Sequence, residues 1–192
     1  MNILIDPGHG GFDPGACSNG LREADYVLAV GRYLMTYLQT LGHEAHLTRS
    51  SDHALGLSKA ADLEERCKME RSWRPALFLS IHCNAASNEL ARGFEIWTSP
   101  GQTRSDVAAE SLVEAFAAAF PQRLIRRDLA DGDSDKESRF RVLTGTVGPA
   151  VLVELGFVTH AEEAQWLRDN QIAIVRALAA GIEGYARTQE AA

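Results

Sequence analysis

Three short apolar runs constrain the fold of this 192-residue chain more than any other feature: Asn2–Ile5, Ala76–Ile81 and Val151–Glu154. Each is too short for a globular helix and too uniformly apolar for a strand with one wet face. Such runs read as strands buried on both sides of a sheet. Stretches of helical spacing separate them. From Glu23 the apolar positions Val27, Leu28, Val30, Leu34, Leu38 and Leu41 recur on one face, and Gly42 is placed to end that helix. Leu57–Trp73 reads as a charged amphipathic helix stopped by Pro75, and Ser105–Phe120 as an alanine-rich helix before Pro121. Glu162–Leu167 and Gln171–Tyr185 read as closing helices.

Glu44–Thr48 is a further strand, and the alternation within Arg92–Thr98 predicts an edge or half-exposed strand. Residues 128–139 are acidic and loop-like, the least ordered stretch by composition, and Phe140–Leu143 reads as a short strand or turn. Strands alternating with helices indicate an α/β fold with a mostly parallel sheet covered on both faces. With no repeat or linker, residues 1–192 are expected to form one domain.

Composition narrows the function. The chain is 45% hydrophobic and 23% charged, ordinary values for a globular protein. A net charge of −7 without a basic run disfavours a nucleic-acid binder. No apolar stretch reaches the ~20 residues that span a bilayer, so no membrane insertion is expected. Cys17, Cys67 and Cys83 give an odd count without framework spacing, which fits a reducing compartment and leaves one disulfide open.

Polar residues stand where the apolar runs end. His9 follows Ile3-Leu4-Ile5 in the turn Asp6-Pro7-Gly8-His9-Gly10-Gly11, His82 closes Leu77–Ile81, and Glu154 closes Ala150–Val153. Open α/β sheets bind ligands outside the carboxyl ends of their strands, so these side chains can meet on one rim. Two imidazoles and a carboxylate make a zinc site with an open position, and a second carboxylate beside it makes a hydrolase.

Each residue also has a plainer reading. His9 can be a surface turn residue, and His82 a core histidine satisfied by backbone. Glu23 can be a first-turn carboxylate favoured by the helix dipole, with Asp25 competing for either role. Glu154 interrupts Val151-Leu152-Val153-Leu155, where an unpaired carboxylate would cost several kcal/mol. A metal site or an arginine is therefore expected beside it. Asn84 shares the strand face of His82, as an orienting amide would. Cys83 faces the opposite side, which argues against a His82–Cys83 thiol nucleophile. The glycine-rich loop lacks the Gly-Lys-Ser/Thr of a phosphate loop.

The motif order carries a resemblance. Asp6–Gly11, Glu23-Ala24-Asp25 with Leu28, and Leu47-Thr48-Arg49 with Asp52 come first. Ser80–Ala85, Gly93-Phe94-Glu95 and Val153–Phe157 follow. This series resembles the zinc-dependent N-acetylmuramoyl-L-alanine amidases of the Amidase_3 family. The resemblance implies a three-layer α/β/α fold around a mixed, mostly parallel, six-stranded sheet. It also implies one catalytic Zn2+ held by His9, Glu23 and His82, with Glu154 as the catalytic carboxylate. Asn84 is a candidate orienting amide or substrate contact that helps hold an oxyanion.

The chain departs from the family at Glu70-Arg71, where Ala-Asn is common, and at His160, where Asn is preferred. The expected reaction is hydrolysis of the amide between the lactyl group of N-acetylmuramic acid and L-alanine in peptidoglycan. A zinc peptidase on a related fold and a catalytically dead wall-binding domain are the competing readings. The chain shows no signal peptide, so the expectation is cytoplasmic synthesis, action on the wall after holin-type release, and an endolysin-like monomer. A host autolysin domain is the alternative.

Overall fold

The computed structural model describes residues 1–130 and 132–190. In chain order the elements are β1 (Asn2–Pro7), β2 (Cys17–Ser18), β3 (Leu21–Arg22), α1 (Glu23–Thr40), β4 (Glu44–Leu47), α2 (Lys59–Trp73) and β5 (Leu77–Asn84). β6 (Glu95–Thr98), α3 (Arg104–Ala119), β7 (Lys136–Glu137), α4 (Arg141–Thr144), β8 (Ala150–Phe157), α5 (Ala161–Asp169) and α6 (Gln171–Glu190) complete the chain. The main sheet has six strands in the order β4-β1-β5-β8-β6-β7. β4, β1, β5 and β8 run parallel, β6 is antiparallel to β8, and β7 is parallel to β6. This is the mixed, mostly parallel α/β sheet expected.

Strand alternation divides the core into two layers. Ile3, Ile5, Leu79, Ile81, Val151 and Val153 face one way and pack with Val27, Leu34, Leu112, Phe116 and Leu178 of the helices on that side. Leu4, Phe78 and Leu152 face the other way, towards Leu63, Met69 and Trp73 of α2 and Val142 and Leu143 of α4. The second layer is thinner and stops short of the strand ends, which leaves a cleft above it.

Local signals set the helix ends. Ser58 accepts the amide of Ala61 to start α2, and Thr103 with Asp106 forms a capping box at α3. Gly42, at φ +87°, turns the chain out of α1.

Three expectations need correction. β6 is not an edge strand: it lies between β8 and β7, and Glu95, Ile96 and Thr98 are buried. The partner that covers it comes from the acidic 128–139 stretch, which is not featureless. The Thr98 hydroxyl donates to Asp135 Oδ2 at 2.6 Å and the Ser138 amide to the Thr98 carbonyl, docking β7 and burying Ser134 and Asp135. Asp131, in the same stretch, lies outside the described residues. Phe140–Leu143, read as a strand or turn, instead leads into the one-turn helix α4, which periodicity over four residues cannot distinguish. Among the described residues no helix is long and apolar enough to cross a membrane.

Candidate active site

The turn after β1 is held by two buried arginines. Arg49 donates to the carbonyls of Pro7, Gly8 and Ala24 at 2.7–2.9 Å. Arg66, from α2, donates to the carbonyls of Pro7 and His9, at 2.8 and 2.7 Å. The same guanidinium reaches Asp6 Oδ1 at 2.6 Å and Asp62 Oδ2 at 2.7 Å. Asp6 is fully buried and also accepts the hydroxyls of Thr48 and Ser80. Burial favours its neutral form, but Arg66 and the two hydroxyls outweigh that and keep its carboxyl below the usual range. So clamped, the backbone carries His9 at φ +61°, a left-handed conformation uncommon for a residue other than glycine.

His9, Glu23 and His82 meet at the rim. His9 Nε2 and His82 Nδ1 are 3.2 Å apart, and Glu23 Oε1 lies 3.1 and 3.0 Å from them. Glu23 opens α1, so the first-turn reading was correct as far as position goes. Its side chain, however, turns inward: the Cys83 amide donates to Oε1 at 2.9 Å and the Ala16 amide to Oε2 at 2.8 Å. Asp25, the competing carboxylate, is exposed and pairs with Arg22.

Burial opposes the charge on Glu23, but His82 and His9 hold its carboxyl far below the ordinary range. Burial likewise opposes a charge on His9, yet Glu23 and Asp13 raise its proton affinity. Asp13 Oδ2 lies 3.0 Å from His9 Nδ1, the ring nitrogen that faces away from the triad. Three lone-pair donors crowded in this way fit one cation. Tetrahedral zinc with ligands at about 2.0–2.1 Å would place them roughly 3.3 Å apart.

Two glycines make the room. A Cβ on Gly8 would lie 2.1 Å from His82 Cε1, and one on Gly15 would lie 2.6 Å from Glu23 Oε2. Gly8→Ala is therefore expected to displace the His82 ring and weaken metal affinity by about 10–100-fold, the scale of a disturbed ligand shell. Competition with a chromogenic chelator measures it; unchanged affinity would show that the ring need not sit there.

Glu154 is the neighbour of His82 across β5–β8 and of Glu95 across β8–β6, on the same sheet face. Of the two expected partners, a metal site or an arginine, the arginine is absent: among the described residues no cation pairs with Glu154, and its enclosed Oε2 has no hydrogen-bond partner. Arg126 and Lys136 go to Glu95 instead. Burial, then the charges of Glu23 and Glu95, push the Glu154 carboxyl well above the usual carboxylate range. Asn84 Nδ2 donates to Glu95 Oε2 at 3.0 Å, and its Oδ1 accepts the Ala85 amide.

All three cysteines are free, and Cys83 lies in the core on the opposite strand face, its thiol pushed up by burial. Neither departure from the family pattern lies at the triad. Glu70 accepts the amides of Val147 and Gly148, and His160 caps α5.

Residues 3–184 match the N-acetylmuramoyl-L-alanine amidase family, Amidase_3. The chain belongs to this family. The amidase is 32% identical over 188 residues to the sporulation-specific N-acetylmuramoyl-L-alanine amidase of Bacillus subtilis (strain 168), covering 95% of this chain and 67% of that protein. The solved catalytic domain of CwlV, an N-acetylmuramoyl-L-alanine amidase from Bacillus (Paenibacillus) polymyxa var. colistinus, is 28% identical. It superposes with a TM-score of 0.81 over 97% of this chain and 98% of that one. The catalytic domain of the CD27L endolysin targeting Clostridia difficile shares the fold alone, at 18% identity, TM-score 0.78 and coverage of 95% and 96%. The protein is thus an N-acetylmuramoyl-L-alanine amidase acting on peptidoglycan, from a family in which zinc dependence is characteristic.

Sequence reasoning did not anticipate the structural part of the amidase site. Arg49 stands within a motif and Arg66 on the charged helix, but nothing local says that both reach the His9 turn. Glu95 was visible in Gly93-Phe94-Glu95 without a role. The signal available was a charged residue inside an apolar stretch, the same that marked Glu154.

Proposed function

We propose that His9, Glu23 and His82 hold a single catalytic zinc ion, and that Glu154 is the proton-transfer group in hydrolysis of the lactyl–L-alanine amide. The convergence of the three donor atoms within about 3 Å carries this reading. When bound, zinc supplies Lewis acidity towards the amide carbonyl and towards water.

The chain's own residues do the rest. Two backbone amides fix Glu23, and the arginine-clamped turn fixes His9, so the ligands are positioned before the metal arrives. Glu154, with a raised proton affinity and a free Oε2, takes the proton of the attacking water and returns it to the alanine nitrogen as the C–N bond breaks. Asn84 has one amide hydrogen committed to Glu95 and offers the other to the substrate oxygen.

His82→Ala is expected to lose stoichiometric zinc by elemental analysis, and with it all hydrolysis. Digests of peptidoglycan by the wild type should release new L-alanine amino termini without new reducing sugars. Cleavage within the stem would favour a zinc peptidase, and full activity without zinc would overturn the metal assignment.

The biological setting we propose is that of an endolysin, reaching the wall after holin-type release. A solved endolysin domain is built on the same fold, so the fold is compatible with that role; the bacterial wall amidases among the relatives support the autolysin alternative. A holin gene beside its own gene is the expected observation, and a locus among sporulation or septation genes would overturn it.

A further inference from the structure

The cleft beside the metal triad is lined by both apolar and polar residues. It has a volume of about 360 Å³, and Phe12, Leu63, Phe140, Val142 and Leu152 contribute apolar surface to it. Phe12 lies three residues beyond His9 in the loop closed by the Gly10–Asp13 bridge, and is 56% exposed. Phe140 directly precedes α4 and is 40% exposed; Trp97 backs it, ring centroids 5.4 Å apart. Neither ring belongs to the core clusters. Apolar surface left open beside a polar reaction centre marks a place where something apolar binds. Polar groups share that lining: Glu154, and Asn84, which donates to the buried Glu95 that Arg126 and Lys136 also engage.

The substrate likewise joins unlike parts. On one side of the scissile amide stands a hexose, with a face of C–H groups and an acetamide methyl. On the other runs a peptide stem of amides and carboxylates. We propose that Phe12 and Phe140 form the sugar subsite, taking the C–H face of the muramyl ring, while the stem runs past Asn84. Aromatic rings present a negative face to polarised C–H groups as well as apolar area, which aliphatic side chains of similar size do not. Lys59 and Arg141 also line the cleft and offer donors to the sugar hydroxyls. The assignment rests on the amidase reading and adds to it which part of the substrate these rings recognise.

Two substrates separate the contributions: N-acetylmuramoyl-L-alanyl-D-isoglutamine, and D-lactyl-L-alanyl-D-isoglutamine, which keeps the scissile amide and lacks the hexose. Phe12→Leu and Phe140→Leu are each expected to raise KM for the sugar-bearing substrate about ten-fold, with kcat unchanged and KM for the sugar-free one unchanged. Leu57→Ala, at a fully exposed leucine that does not line the cleft, should alter neither. An equal rise on both substrates would place the rings against the lactyl-peptide part, and an unchanged KM would remove the subsite; either result overturns the proposal. Wild-type release of L-alanine termini from intact peptidoglycan tests the amidase reading separately. Its failure would overturn both.

Discussion

Glu154→Gln should lower kcat by about 10²–10⁴-fold, the usual contribution of a positioned proton-transfer group, while zinc stoichiometry and KM stay near wild type. The replacement keeps the shape of the side chain and removes only its capacity to take and return a proton. Three features of the structure make this the most decisive substitution. Glu154 lies beside His82 across the sheet but outside the group of three converging donor atoms. Its Oε2 has no partner to fix it. Burial and two neighbouring carboxylates raise its proton affinity, the direction required of a group that must accept a proton during turnover.

The same features predict no loss of stability. The neutral amide relieves the repulsion from Glu23 and Glu95, so Tm should hold or rise. Steady-state kinetics, elemental analysis and calorimetry read the three quantities separately. Full activity with zinc bound would overturn the proton-transfer role, and loss of zinc would place Glu154 among the ligands.

Arg66→Met is expected to be the most damaging change to stability, costing about 3–5 kcal/mol, the range for breaking a buried ion pair from one side. The guanidinium is almost wholly buried, as is Asp6. Removing it leaves Asp6 with two hydroxyls and no positive charge, and leaves the carbonyls of Pro7 and His9 without these donors. For a domain of this size the loss corresponds to a fall in Tm of about 10 °C. Asp6→Asn in the same background should recover part of it, because the stranded charge is then gone.

The pH dependence has a defined sign. The folded-state pKa of Asp6 is depressed, so its contribution is complete above the unfolded value of about 4. It is lost as pH falls through the depressed folded value. The wild type should lose stability more steeply in acid than the Arg66→Met/Asp6→Asn double variant, as measured by urea unfolding. Equal acid sensitivity would show that Asp6 carries no linked stability.

The difference between these two residues in legibility is instructive. Glu154 stood out in the sequence because a carboxylate inside Val-Leu-Val-Leu has no cheap explanation. Arg66 did not, because an arginine on a charged amphipathic helix is ordinarily a solvated residue. Only the packing of α2 against the β1 turn turns it inward. Of the two partners expected beside Glu154, a metal site or an arginine, the arginine is missing for a related reason. Arg126 and Lys136 are available nearby, but Glu95, one strand further along, takes both. Sequence patterns register that a buried charge needs compensation without saying which of two adjacent carboxylates receives it.

The acidic 128–139 stretch was misread in the opposite direction. Its composition is that of a solvated loop, yet docking through Thr98 makes it the sixth strand and moves β6 off the edge.

What the sequence determined by itself is what depends on near neighbours along the chain. Apolar runs and 3.6-residue spacing fixed the parallel core strands and the major helices to within a few residues. The break in each run singled out His9, His82 and Glu154, although β5 runs on past His82 to Asn84 and β8 past Glu154 to Phe157. The tertiary structure decided which of these polar groups meet. His9 and His82 are 73 residues apart in sequence and 3.2 Å apart in space. Glu23 joins them only because the amides of Ala16 and Cys83 turn its side chain away from the helix end that its position alone would explain. Periodicity reports the face of an element, whereas a metal site depends on the distance between elements, and that is set when the two layers pack on the sheet.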